Sequence, residues 1–218
     1  MAAPLPDTPG AGRGRRPRRP SGDDRERAIL ATAEELLGQR PLADVSVDDL
    51  ARGAGISRPT FYFYFPSKDA VVLTLLDRVV EEARAARSAA VARAGDDVRA
   101  GWRGALQAVR DTFLAHRALT TAAASLLATS PEVRALWSQV MEQFVEETAA
   151  AVDAERARGA APPGPPARDL AVALNWMNER VIHATATGQQ PAIAEDDLLD
   201  VLLTVWLRTV YGADGPPG

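Results

Sequence analysis

The chain has 218 residues, 46% of them apolar and 25% charged, which suits one or two compact domains with a sizeable core. It contains no cysteine, so disulfides, thiolate metal sites and cysteine nucleophiles are excluded, and the composition fits a reducing cytoplasm. No apolar run approaches the ~18 residues a membrane span needs, and the arginines near the N-terminus have no apolar stretch behind them, so neither a span nor a secretory signal is expected.

The net charge of −4 looks unfavourable for a nucleic-acid partner, but it is unevenly spread. Residues 1–68 hold 11 Lys/Arg against 9 Asp/Glu, a balance of +2, and residues 69–218 hold 14 against 20, a balance of −6. The acidic part should face away from any DNA.

Residues 1–22 are rich in Pro, Gly and Arg without apolar periodicity, the composition of a disordered arm. Arg13, Arg15, Arg16, Arg18 and Arg19 cluster there. They read equally as a solubilising tail or as an arm along DNA phosphates. Helical patterning then begins, with Ile29, Ala33, Leu36 and Leu37 on one face and Gly38 placed to end the first helix. Ser46 with Asp49 three residues on predicts a capping box and a second, short helix that Gly53 and Gly55 break. Ser57 caps a third, with Pro59 tolerated in its first turn. Pro66 closes it, and Ser67 opens a fourth whose stripe is Val71, Val72, Leu75, Leu76, Val79 and Val80, running to about residue 93.

Gly95-Asp96 precedes helix five, residues 117–128 read as helix six, and Ser130-Pro131-Glu132 starts helix seven. The Pro- and Gly-rich stretch 159–167 must be a loop; helix eight follows over about 168–187, and helix nine over about 195–211. Nothing alternates with period two, so the expected fold class is all-α: about nine helices, with an N-terminal three-helix head over 23–68, a larger helical domain over 69–212, and a disordered tail over 213–218.

The informative segment is Val45–Asp69. Two short helices flank the turn Ala54-Gly55-Ile56, and Leu50, Ala51, Ile56, Phe61 and Phe65 can pack as a small core beneath them. Two short core helices of an ordinary α-protein would also satisfy this spacing. The second helix argues otherwise: with Phe61 and Phe65 inward, Pro59 and Phe63 point away and Tyr62 lies on the flank. A solvated helix has little reason to expose Phe63. A helix docked in a DNA groove has one, since such carbons meet thymine methyls and sugars. Arg58 at the helix start suits the two guanine acceptors, and Lys68 suits a phosphate.

The run Arg58-Pro59-Thr60-Phe61-Tyr62-Phe63-Tyr64-Phe65-Pro66-Ser67-Lys68 resembles the recognition segment of the tetracycline-repressor (TetR) family. The resemblance implies Arg58, Pro59 and Tyr62 as base-edge contacts and Ser46, Thr60, Tyr64 and Lys68 as phosphate contacts, with Phe63 able to serve either purpose. It continues through Gly22–Glu81, Asp153-Ala154-Glu155-Arg156 and Ala173–Arg180, where the chain is similar to the ethionamide-resistance group of that family over about residues 22–212.

In the larger domain, Trp102, Leu106, Val109 and Phe113 share one helical face, and Trp137, Met141, Phe144 and Thr148 repeat the spacing on another. Such stripes can be core or pocket. Asn175 and Asn178, three apart on helix eight with Glu179 beside them, need partners on an apolar face: each other, a water or a ligand carbonyl. The resemblance implies a long aromatic effector channel with asparagines along its wall. By position, Trp102, Phe113, Trp137, Met141, Phe144, Thr148, Asn175, Asn178 and Trp206 line it. Val109, Glu147 and His183 stand where that group has aromatics, which implies a wider or more polar pocket. It further implies a palindromic double-stranded operator, a small apolar effector, a homodimer formed through helices eight and nine, and a nearby flavin monooxygenase gene as the target. The stripes Leu170, Leu174, Met177, Val181 and Leu198, Val201, Leu202, Val205, Leu207 fit that pairing but could equally be buried within one protomer.

No cofactor or metal is expected. His116 and His183 have no carboxylate at ligand spacing, and there is no phosphate loop or nucleophile elbow. An enzyme using the apolar channel and a DNA-binding activator without an effector are the alternatives to a ligand-controlled repressor.

Overall fold

The computed structural model describes residues 21–212, so the Arg13–Arg19 cluster and the tail 213–218 lie outside the described residues. Nine α-helices and one 3-10 turn, with no strand, make up the described chain: α1 (Gly22–Gln39), the turn Leu42–Asp44, α2 (Val47–Gly53), α3 (Arg58–Tyr64), α4 (Lys68–Ala94), α5 (Val98–Ala115), α6 (Arg117–Leu126), α7 (Pro131–Ala157), α8 (Ala167–Thr187) and α9 (Glu195–Tyr211). The all-α class is as expected.

Caps set most of the boundaries. Ser46 and Asp49 form the expected capping box, Ser57 and Ser67 accept from Thr60 N–H and Ala70 N–H, and Ser130 accepts from Val133 N–H ahead of Pro131. A further box, Ser21 with Asp24, starts α1. Two readings of glycine are corrected. Gly38 does not end α1; the helix runs on to Gln39 and stops at Arg40, which is extended (φ −157°, ψ 156°) because it precedes Pro41. Gly53 does not break α2 but ends it in helical geometry. A Cβ at Gly53 would lie 2.3 Å from Cγ2 of Thr32 on α1, so its lack of a side chain allows the two helices to approach. The break belongs to Gly55, at φ +67°, which ordinary residues rarely adopt.

One hydrophobic cluster runs through the whole described chain. In the head, Ile29, Leu30 and Ala33 of α1 pack on Leu50, Ala51, Phe61 and Phe65; Ile56 is only half-buried at its margin. The stripe of α4 is buried along its length, from Val71 and Val72 to Val80 and Ala83. Its first turns pack on α1 and its later turns on α5, α6 and α7. Helices α7 and α8 pack side by side, and α9 closes against α5 and α8.

The α1–α2 contact gives a direct test. Gly53→Ala adds intrinsic helix propensity worth up to ~1 kcal/mol, but Thr32 is β-branched and stiff, so the clash should leave a net loss of about 1–2 kcal/mol. Chemical denaturation should show that Thr32→Ala restores most of this in the double variant. A Gly53→Ala protein as stable as the parent would mean that α1 and α2 are not in close contact.

Candidate DNA-reading head and effector channel

Helix α3 stands on Phe61, which is fully buried and packs on Phe65 with ring centroids 6.1 Å apart. This anchoring turns the opposite face outward: Phe63 is 83% exposed and Tyr62 46%, with Arg58 and Pro59 also exposed. Arg58 is folded along the helix. Nη1 donates to Asp48 at 3.0 Å, Nη2 donates to the Tyr62 hydroxyl at 3.4 Å, and the guanidinium lies 5.8 Å from the Tyr62 ring centroid. The Tyr62 hydrogen bond, then the charge of Asp48, raises its pKa further.

The four residues read as phosphate contacts are less free. The Ser46 hydroxyl accepts from Asp49 N–H and donates to the Asp49 carboxylate at 2.7 Å. The Thr60 hydroxyl is 2.8 Å from that of Ser57. Tyr64 is half-buried, with its ring edge against Phe63. Lys68 differs most from a free phosphate-facing lysine: Nζ donates to the carbonyls of Leu42 at 2.8 Å and Val45 at 2.9 Å, which ties the first turn of α4 to the segment before α2. Two of its three donors are thereby used. Ser46, Tyr62 and Lys68 still line one shallow groove, with Ser67, where the N-termini of α2 and α4 meet.

In the larger domain, all twelve channel residues read from the sequence line one cavity between α5, α7, α8 and α9: Trp102, Leu106, Val109 and Phe113; Trp137, Met141, Phe144 and Thr148; Asn175, Asn178 and Glu179; and Trp206. Its empty space is about 730 Å³, mouth included. His183, read as standing where the related group has an aromatic, lines it as well, and sequence reasoning missed Arg87, Ala105, Thr120 and Ile182. Ala105 and Ile182 each lie one turn from a named residue, so helical spacing could have found them.

The polar groups of the wall are mostly committed. The Asn175 amide donates to Thr148 Oγ1 at 3.1 Å and to the Ala171 carbonyl at 2.9 Å. Asn178 Oδ1 accepts from Trp206 Nε1 at 2.9 Å, which orients the side chain and leaves its NH2 without a bond to the described residues. The two amides therefore do not bond each other. Trp102 Nε1 donates to the Tyr211 hydroxyl, which donates to Glu155; burial and that carboxylate push the Tyr211 pKa well up. Trp137 Nε1 is buried with no hydrogen-bond partner among the described residues. Arg87 stacks 5.7 Å from the Phe144 centroid and pairs with Glu147, while burial lowers its pKa. Burial raises the carboxyl pKa of Glu179 and lowers that of His183.

Two family models match the chain. The family model for bacterial regulatory proteins of the tetR family matches residues 29–75, and that for the C-terminal domain of the transcriptional regulator EthR matches residues 102–212. The chain is 56% identical to the HTH-type transcriptional regulator EthR of Mycobacterium tuberculosis, across 92% of this chain and 93% of that protein. The chain belongs to the TetR family. The EthR of Mycolicibacterium smegmatis is 48% identical over 92% of each chain. A TetR-like transcriptional regulator from Rhodococcus sp. RHA1, 24% identical, shares the fold with a TM-score of 0.59 across 87% of this chain and 97% of its own. As a TetR-family member of the EthR type, the protein is a DNA-binding transcriptional repressor and not an enzyme. No helix among the described residues is long and apolar enough to cross a membrane.

The two alternatives for the α8 and α9 stripes divide between their residues. Leu198, Leu202 and Leu207 of α9 and Leu174 of α8 are buried within the protomer, because α9 turns them onto α5 and α8. What α8 and α9 expose is Trp176 at 48%, Val201 at 40% and Val205 at 37%, with Met177 and Val181 half-buried.

Lys68 supplies the test of the head's construction. Lys68→Met keeps the stem and removes two charge-assisted hydrogen bonds, so the protein should lose about 2 kcal/mol of stability in chemical denaturation without DNA. An unchanged midpoint would show that Lys68 does not hold the head together.

Proposed function

We propose that the protein is a homodimeric repressor that holds a palindromic operator and releases it when a small apolar effector fills the channel. One observation carries this reading: α4 belongs to both sites. Its first residue, Lys68, is bonded into the reading head, and Arg87, about 28 Å further along at 1.5 Å per residue, forms part of the channel wall. An effector between the Trp102 and Trp137 stripes displaces the packing around Arg87, and a stiff helix passes that displacement on as a tilt of the head. DNA accepts only a separation near ~34–36 Å, or multiples of it, between two heads.

On this reading Arg58, Pro59, Tyr62 and Phe63 enter the major groove. Ser46, Thr60, Tyr64 and Lys68 sit along the phosphates, the last through its remaining donor and with the helix N-termini beside it. The NH2 of Asn178 and the N–H of Trp137 are the donors offered to an effector's carbonyl. Two copies pair through α8 and α9 with Trp176, Val201 and Val205 at the contact, since a single head reads too few base pairs. The repressor works in the cytoplasm, where its operator is, and a neighbouring monooxygenase gene is the proposed target.

Linkage supplies the decisive measurement. An inducing ligand is titrated into free protein and into the protein–operator complex. The ligand should bind the complex more weakly, by the same factor by which it weakens DNA binding; complete switching from 1:99 to 99:1 needs about 5.5 kcal/mol of differential affinity. Equal affinities in the two titrations would sink the mechanism. Separately, Arg58→Ala should weaken the cognate operator about ten- to a hundredfold and relax guanine preference at one position per half-site. If affinity and preference both survive, α3 does not read bases as assigned.

A further inference from the structure

Glu179 is the charged group in the channel that the proposed mechanism does not use. It lies on α8 one turn before His183, and both line the channel. Both also line a smaller cavity behind it, about 290 Å³ with its mouth, which they share with Thr120 and Trp137 and whose far wall includes Leu76 of α4. These residues form a junction between the effector channel and the helix that carries the reading head.

The neighbouring charges are already paired. Arg87 has Glu147 and the Phe144 ring. Glu155 holds both Arg158 and the Tyr211 hydroxyl. Arg180, next to Glu179 in sequence, is exposed and donates to Gln189 Oε1 at 2.9 Å. No described residue makes a hydrogen bond or ion pair with the Glu179 carboxylate or the His183 ring, although both side chains are half-buried. A carboxylate taken out of water without a partner is costly. The cost shows as the upward shift of the Glu179 pKa, caused mainly by burial. Phe113 and Trp137, which meet edge to face with ring centroids 6.1 Å apart, line the same channel as Glu179, and Trp137 lines the smaller cavity too. A carboxylate in an aromatic-lined channel suits one ligand chemistry, an ammonium group, which takes the Coulomb attraction of the acid and the quadrupole attraction of the rings.

We infer that the junction is a subsite for a cationic head group, and that the effector class is an apolar or aromatic body carrying a protonated amine bound to Glu179. The inference rests on the channel being the effector site and adds the chemistry of one end of the ligand. The amine is drawn towards the smaller cavity that Leu76 of α4 helps to line, so this end of the ligand also meets α4. A carboxylate ligand has no comparable site, because the guanidinium of Arg87 is occupied by Glu147.

The test uses the full-length protein and three matched probes: 4-phenylbutylamine, 4-phenylbutanol and 4-phenylbutyrate. Binding is measured by calorimetry, and operator release by fluorescence anisotropy of labelled operator DNA. The amine should bind at least about tenfold more tightly than the alcohol, with the carboxylate weakest. Glu179→Gln, which keeps the size of the side chain, should bring amine and alcohol to within about twofold of each other. The proposal is overturned if the alcohol or the carboxylate matches the amine on the unmodified protein, if the amine does not bind, or if the preference persists in Glu179→Gln. Should that variant fail to fold, as shown by its melting curve, the ranking on the unmodified protein decides alone. Failure of the regulatory reading looks different: the amine would bind with the predicted preference and leave the operator bound.

Discussion

A helix with two apolar neighbourhoods at its two ends cannot be repacked at one end alone, and α4 is such a helix. Its 27 residues carry a single buried stripe, from Val71 to Ala83, that serves the head first and the larger domain afterwards. The head meets the larger domain through two helices, since α1 packs on both α4 and α6, and α4 is the one whose chain runs on directly from α3. Where α4 meets α5 the approach is tight: a Cβ at Gly104 would fall 3.1 Å from Ala90 Cβ, so the two backbones are close and the C-terminal half of α4 is clamped. Packed interiors of this kind have discrete arrangements and do not deform continuously. A ligand that changes the packing around Arg87 therefore has few ways to be accommodated, and a tilt of α4 is one of them.

The channel results from aromatic rings whose polar edges are tied down. Trp102 and Trp206 pack with centroids 5.3 Å apart, and their N–H groups are fixed by Tyr211 and Asn178. Each bond satisfies a buried donor and also sets a ring plane, so that end of the channel is rigid without being filled. Elsewhere in the lining the buried Trp137 N–H has no hydrogen-bond partner among the described residues, and Glu179 and His183 are half-buried polar groups. Some of the wall's polar groups are thus fixed and others left open, the condition in which a ligand has most to add.

Much of this arrangement was legible in the sequence, for identifiable reasons. Caps and prolines placed most helix starts, because an orphan donor and a missing N–H act locally. The channel residues followed from the 3.6-residue period on two helices and from the resemblance. What escaped depends on packing between elements. Gly53 looks like a helix breaker until Thr32 of α1 is seen against it. Arg87 was hidden because a lone arginine on a long helix reads as solvated surface, and only the approach of Glu147 and Phe144 brings it into a cavity. The small cavity beside His183 has no signature in the sequence. The α9 stripe left two readings open for a similar reason. Periodicity says which residues share a face, but Leu198, Leu202 and Leu207 went to the protomer's own core, and only Val201 and Val205 were left for another surface.

The head carries an acid, Asp48, on the face proposed to meet DNA, where like charge with the phosphates is unfavourable. Asp48 holds the Arg58 guanidinium against Tyr62 in the absence of DNA. Both side chains are more than half exposed, so the pair is screened by salt and contributes little to stability. On the proposed reading, in which Arg58 bonds a guanine, exchanging Asp48 for the two acceptors of the base is inexpensive, because a weak contact is given up for a bidentate one. On DNA that lacks the guanine the balance would reverse: Arg58 would either stay with Asp48 and leave the base unread, or turn away and leave an uncompensated carboxylate close to the phosphates. The acid would then penalise the wrong sequence more than it weakens the right one, and discrimination at this position would draw on repulsion as well as attraction. The sequence of residues 1–68 carries a net charge of only +2, which supplies little non-specific attraction to DNA, and such a device would reserve it for the site that is read.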